Sequence, residues 1–99
     1  MNFEQTVREH LRLTLLRLLL DDPNYTMNDS LLTDLTEPYG FTPSRDRVRT
    51  ELAWLSEQGL LTVDNDPDIS IAILTERGAD AARGRITVPG IKRPSPGRQ

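Results

Sequence analysis

Apolar residues recur along the start of the chain at alternating spacings of three and four. Phe3, Val7, Leu11, Leu15 and Leu18 form one stripe of a helix predicted over residues 3–20, because positions that far apart share a helical face. Leu13, Leu16 and Leu20 form a second stripe on roughly the opposite side. A surface helix needs only one apolar face, so this one is expected to be covered twice, by the chain's own carboxyl segment or by a second copy. Asp21-Asp22-Pro23-Asn24 ends it, since proline cannot continue a helix and asparagine suits a turn.

A short second helix comes next, with Asn28 as N-cap, Asp29 at the positive end of the helix dipole, and Leu31, Leu32 and Leu35 as its apolar face. Pro38 and Gly40 close it. The third helix is predicted to begin with Thr42 as cap and Pro43 at the first helical position. Val48, Leu52 and Leu55 line its buried side, and Gly59 supplies a left-handed C-terminal turn. With Val48 central to that side, Asp46, Thr50 and Ala53 point outward. Arg45 and Arg49 then flank one edge, and Arg47 and Trp54 the other, with Trp54 expected to pack against a hairpin.

That hairpin is read from a change of period after Gly59. "LLTV" and "ISIAILT" are rich in β-branched residues, and "DNDPD" between them is turn chemistry, so a two-stranded antiparallel hairpin is predicted within residues 60–74. "TERGADAARGR" reads as a short closing helix capped by Thr75, with Ala79, Ala81 and Ala82 as small packing residues. Residues 1–85 thus form one domain. Residues 86–99 form a basic tail whose last twelve residues hold three prolines and two glycines, and it is read as extended.

Composition narrows the function classes. Cysteine is absent, which removes disulfides, thiolate nucleophiles and cysteine metal sites. His10 is the only histidine, and no Ser-His-Asp set, Gly-rich phosphate loop or metal-ligand spacing accompanies it. The acids of "DNDPD" lack the glycine and terminal glutamate of a calcium loop. No enzyme activity, metal, cofactor or small-molecule ligand is therefore expected. No apolar run approaches the roughly 20 residues of a membrane span, and the amino terminus lacks a signal-peptide layout, which points to the cytoplasm. The charge is uneven: residues 1–76 carry six arginines against fourteen acids, while residues 77–99 carry six basic residues against Asp80 alone. Binding to duplex DNA would have to rest on local clusters, not on the net charge of −3.

Helix, short helix, capped helix, hairpin, helix is the order of a winged helix-turn-helix domain, a mainly α, α+β fold. "GFTPSRDRVRTELAWLSEQGLL", succeeded by a hairpin and "LTERG", resembles the MarR, PadR and ArsR regulators. "SRDRVRTELAWLSEQGL", "LTERGADAARGR" and "VPGIKRPSP" resemble more closely the small proteins of Mu-like prophages identified as ArsR-like transcriptional regulators, over nearly the whole chain. The resemblance implies a phage regulator that binds double-stranded DNA as a homodimer. Its third helix would offer Ser44, Arg45, Arg47, Arg49 and Thr50 to the major groove, Lys92 and Arg93 of the tail would track the backbone, and Leu13, Leu16 and Leu20 would form the dimer interface. The hairpin departs from the family, because three carboxylates at its tip would be repelled by DNA. ArsR-type metal sensing does not carry over, for want of ligands. An alternative remains open: Arg47 and Glu51 pair at i,i+4 on a solvated helix face, and the domain is a protein-interaction module, a phage adaptor that does not bind DNA.

Overall fold

Every α-helix of the computed structural model, which describes residues 2–95, starts on a side chain that accepts from one of its free N–H groups. Asn2 accepts from Glu4 N–H at 2.8 Å to open α1 (Phe3–Asp21). Asn28 accepts from Leu31 N–H at 2.7 Å to open α2 (Asp29–Leu35). Ser44 accepts from Arg47 N–H at 3.0 Å to open α3 (Arg45–Glu57), and Thr75 from Gly78 N–H at 3.1 Å to open α4 (Glu76–Arg83). The third helix is therefore capped two residues after the predicted Thr42. Ser44 takes that role because its hydroxyl reaches the third helical N–H, and Pro43 stays outside the helix. Gly59, at φ 75°, ends α3 as expected: its N–H donates to Ser56 O and the Leu60 N–H to Leu55 O, both at 3.0 Å.

The hairpin forms from β2 (Leu61–Asn65) and β3 (Ser70–Leu74), paired antiparallel from Leu61↔Leu74 to Asn65↔Ser70. The sequence pattern does not announce a third strand, yet one is present. β1 (Thr26–Asn28) pairs with the free edge of β3, giving the order β1-β3-β2. Three residues are too few to show a two-residue period, and their strand character comes from the neighbouring edge. The fold is a winged helix whose sheet has three strands.

Leu15, Leu16, Leu19, Leu32, Val48, Leu52, Leu55, Leu60 and Leu61 are the fully buried centre of the core. α1 packs on α4 and β3. Its first stripe is covered only from Leu11 onward, since Phe3 is 82% exposed. Its second stripe is covered by the chain itself: Leu13 and Leu16 are buried and Leu20 is half-buried against the core. Part of that cover is the segment read as a tail. Val88, Ile91 and Pro94 are buried, the Lys92 N–H donates to Glu9 O at 3.2 Å, and Pro94 lies against Gly84. Residues 96–99 of that tail lie outside the described residues. No described helix is long and apolar enough to cross a membrane.

The contact of α4 with Leu60, the residue before β2, generates a test. A Cβ on Gly78 would fall 1.8 Å from Leu60 O and 2.7 Å from Leu74 Cδ1. Glycine to alanine inside a helix ordinarily stabilises by about 1 kcal/mol. Here Gly78→Ala is expected to destabilise by about 2–3 kcal/mol, because backbone must move to admit the methyl; urea unfolding with no loss of stability would contradict this packing.

Candidate nucleic-acid interface

α3 presents an outward ridge and two flanks. Asp46, Thr50, Ala53 and Glu57 are exposed on the ridge, which carries two acids and no cation. The arginines lie on the flanks, as the helical spacing requires, but each is engaged with a carboxylate that the fold has buried.

On one flank stands Asp29, the first residue of α2, whose side chain is fully buried. Arg45 donates to it through Nε at 3.0 Å and Nη2 at 3.2 Å, Arg49 donates through Nε, and the Ser70 N–H of β3 donates at 3.3 Å. Burial by itself would raise the Asp29 pKa. The two guanidiniums and the backbone N–H outweigh it and hold the carboxyl well below the usual carboxylate range. Arg45 Nη2 also donates to Asp68 O at the hairpin tip. One carboxylate therefore links α2, α3, β3 and, through Arg45, the tip.

On the other flank stands Glu51, 2% exposed. It accepts from Arg12 Nε at 2.7 Å and from Arg47 Nε at 3.0 Å, with Arg8 Nε at 3.8 Å. Arg12 is itself buried, its guanidinium 3.7 Å from the centre of the Trp54 ring and its Nη1 donating to Gly90 O at 3.0 Å. Gly90 sits so close to the indole that a Cβ there would come within 2.8 Å of the ring. Trp54, expected beside the hairpin, instead stacks between α1 and the carboxyl-terminal segment.

The structure places the sequence-predicted residues in two groups. Ser44, Arg45, Arg47, Arg49 and Thr50 lie together at the start of α3. Ser44 is used as the helix cap, and the Thr50 hydroxyl donates to Asp46 O at 3.2 Å. Lys92 and Arg93 instead lie beside α1, lining a cleft with His10 and Arg17. Leu13 and Leu16, expected at a dimer interface, are covered within the single chain. Sequence reasoning missed Asp29, Glu51 and Arg12 as the groups that fix the arginines. The Arg47–Glu51 pair had a local signal in its i,i+4 spacing. Arg45 and Arg49 stand 16 and 20 residues from Asp29, and no periodicity reports such a pair.

No family model matches the chain. It is 47% identical over 88 residues to the protein gp26 of Escherichia phage Mu, covering 89% of this chain and 91% of that one. It is 41% identical over 78 residues to a protein of Haemophilus influenzae, covering 78% and 76%. Among solved structures it superposes on H. salinarum RosR with a TM-score of 0.63 at 23% identity, over 74% of this chain and 66% of that one. It superposes on Sco3205, a MarR family transcriptional regulator from Streptomyces coelicolor in complex with DNA, with a TM-score of 0.62 at 22% identity, over 81% and 52%. The chain thus spans about two thirds of RosR and about half of Sco3205. At these identities the likeness is one of fold.

The paired flank at Asp29 makes non-additivity the expected result of mutation. Arg45→Ala or Arg49→Ala alone leaves the other guanidinium on Asp29, and each is expected to cost about 1 kcal/mol, because both arginines are a third or more exposed. The double variant strands a buried carboxylate and is expected to cost about 3–5 kcal/mol, more than the sum. Asp29→Asn is expected to cost about 2–3 kcal/mol at neutral pH. A depressed carboxylate pKa contributes stability above the unfolded value of about 4 and loses it as pH falls through the folded value. The gap between wild type and Asp29→Asn should therefore narrow below about pH 4, as read from unfolding curves at several pH values.

Proposed function

The chain belongs to the family of the phage Mu protein gp26, and we propose that it is a winged-helix regulator of phage transcription that binds duplex DNA as a homodimer. One observation carries this reading: at the start of α3 three arginine side chains remain partly in solvent while the carboxylates that hold them are buried. The side chains of Arg45, Arg47 and Arg49 are 44%, 41% and 35% exposed, against 0% for Asp29 and 3% for Glu51. Positive charge exceeds negative on both flanks, with two guanidiniums to Asp29 and three around Glu51. Arg47 and Arg49 bond through Nε, which leaves their terminal N–H groups for phosphate or guanine acceptors. The start of a recognition helix is the part that meets base edges. The likeness in fold to Sco3205, a regulator described in complex with DNA, supports the same use. Because Leu13 and Leu16 are covered within the chain, the homodimer is assigned to the apolar groove at the start of α1, where Phe3, 82% exposed, lies with Val7, Leu11 and Phe41.

A second reading, a protein-interaction adaptor, is favoured by the α3 ridge, where Asp46 and Glu57 would meet phosphates with like charge, and by the acids of the hairpin tip. Arg47→Ala separates the two readings with least damage to the fold, because Glu51 keeps Arg12 and Arg8. Fluorescence anisotropy with duplex from the phage regulatory region, at two salt concentrations, should show weaker binding. A lost phosphate contact lowers the salt slope by about one unit, and a lost base contact costs about 1–3 kcal/mol at one position. Asp46→Asn should strengthen binding. Absence of duplex binding by the unmodified protein at low salt, where phosphate contacts are strongest, would replace the regulator reading with the adaptor. Light scattering should give a dimer mass that falls towards the monomer in Phe3→Glu; a monomer mass for the unmodified protein at micromolar concentration would remove the homodimer.

A further inference from the structure

The cations without a carboxylate partner are not on α3. Among the described residues, ion pairs engage Arg8, Arg12, Arg45, Arg47, Arg49 and Arg85. Arg17, Arg77, Arg83, Lys92 and Arg93 take part in none, and of these Arg17, Lys92 and Arg93 converge with His10 on one cleft of about 300 Å³. Leu13 and Pro94, both buried, contribute to its walls, and among the described residues no acid lines it. Its shape is held by three contacts: the Lys92 N–H is held on Glu9 O at 3.2 Å, Lys92 Nζ donates to Arg93 O at 3.1 Å, and Pro94 lies against Gly84.

The cleft is separate from the α3 flank. At about 100° per residue, His10 and Arg17 lie close together around α1, whereas Arg12, which reaches Glu51, is about 200° from His10. The carboxyl-terminal segment crosses α1 between the two sides, with Gly90 against Trp54 and Lys92 beside His10. Cations gathered with no carboxylate among them repel one another until an anion arrives. A tetrahedral oxyanion suits them: its several acceptor oxygens can take a forked guanidinium and a lysine ammonium together.

We propose that the cleft formed by His10, Arg17, Lys92 and Arg93 is a phosphate-binding site, on the side of α1 turned away from α3. The ligand chemistry is a phosphate oxyanion, carried either by a nucleic-acid backbone or by a free phosphate. The site does not depend on α3 binding DNA.

His10 is the sole histidine, so its ring proton resonances report on the cleft without ambiguity. Titration of the full chain with inorganic phosphate, at fixed pH and matched ionic strength in chloride, should give a saturable shift of those resonances. Arg17→Gln combined with Lys92→Gln should weaken the apparent affinity by at least about tenfold, as expected when two charge-assisted hydrogen bonds are lost. Arg93→Gln, at an exposed position with no part in the core, should weaken it several-fold and keeps the test open if the double variant fails to fold. Arg47→Ala should leave the response unchanged, so failure of duplex binding at α3 and failure of this cleft are read apart. A short oligothymidylate saturating at lower concentration than inorganic phosphate would assign a backbone as the source; equal or weaker binding would assign a free phosphate. The proposal is overturned if chloride alone produces the shift or if the charge-removing variants bind phosphate as tightly as wild type. It also falls if the resonances respond to protein concentration and not to phosphate, which would mean that an acidic surface of a second copy occupies the cleft.

Discussion

Two buried carboxylates set the position of α3. Asp29 and Glu51 are almost wholly removed from water, at 0% and 2% exposure, and a carboxylate there must be paired to remain charged. The pairing reaches across the molecule. Asp29 gathers Arg45, Arg49 and the Ser70 N–H, so that α2, α3 and β3 meet on two oxygens. Glu51 gathers Arg12 and Arg47, and Arg12 goes on to the Trp54 ring and to Gly90 O. The helix is fixed on one flank by the sheet side of the domain and on the other by α1 and the carboxyl-terminal segment.

The same arrangement settles what the arginines have to offer. A free surface arginine loses side-chain entropy when it binds, whereas one already held through Nε has much of its geometry set beforehand. Burying the partner and leaving the arginine side chain partly in solvent gives local positive charge to a chain whose net charge is −3. In the proposed regulator, structural and binding roles would be combined in the same side chains. For the regulator reading, Arg47 is the separable one, because Glu51 keeps another buried partner when it is removed.

The carboxyl-terminal segment has a comparable double effect. By burying Val88, Ile91 and Pro94 it covers the second apolar stripe of α1 within a single chain. By the same path it carries Lys92 and Arg93 to His10 and Arg17. The result is two cationic regions on different sides of α1, one neutralised in part by buried acids and one with no carboxylate among its described lining residues.

Much of this fold was legible in the sequence, because its signals are local. The three-and-four spacing of Leu11, Leu15 and Leu18, the Asn28 and Thr75 caps, the left-handed turn at Gly59 and the change of period after it each depend on residues within a few positions of one another. The spacing also placed the arginines on the flanks of α3 and paired Arg47 with Glu51. What those side chains do there was decided only by tertiary structure. Thr26–Asn28 becomes a strand because the edge of β3 is beside it. Leu13 is covered because residues far along the chain return to α1. Asp29, which by itself reads as a helix-dipole residue, becomes the anchor of two arginines 16 and 20 residues away. Periodicity and capping record how neighbouring residues share a helix or strand, and a buried charge is answered by whichever opposite charge the fold brings to it, at any distance along the chain.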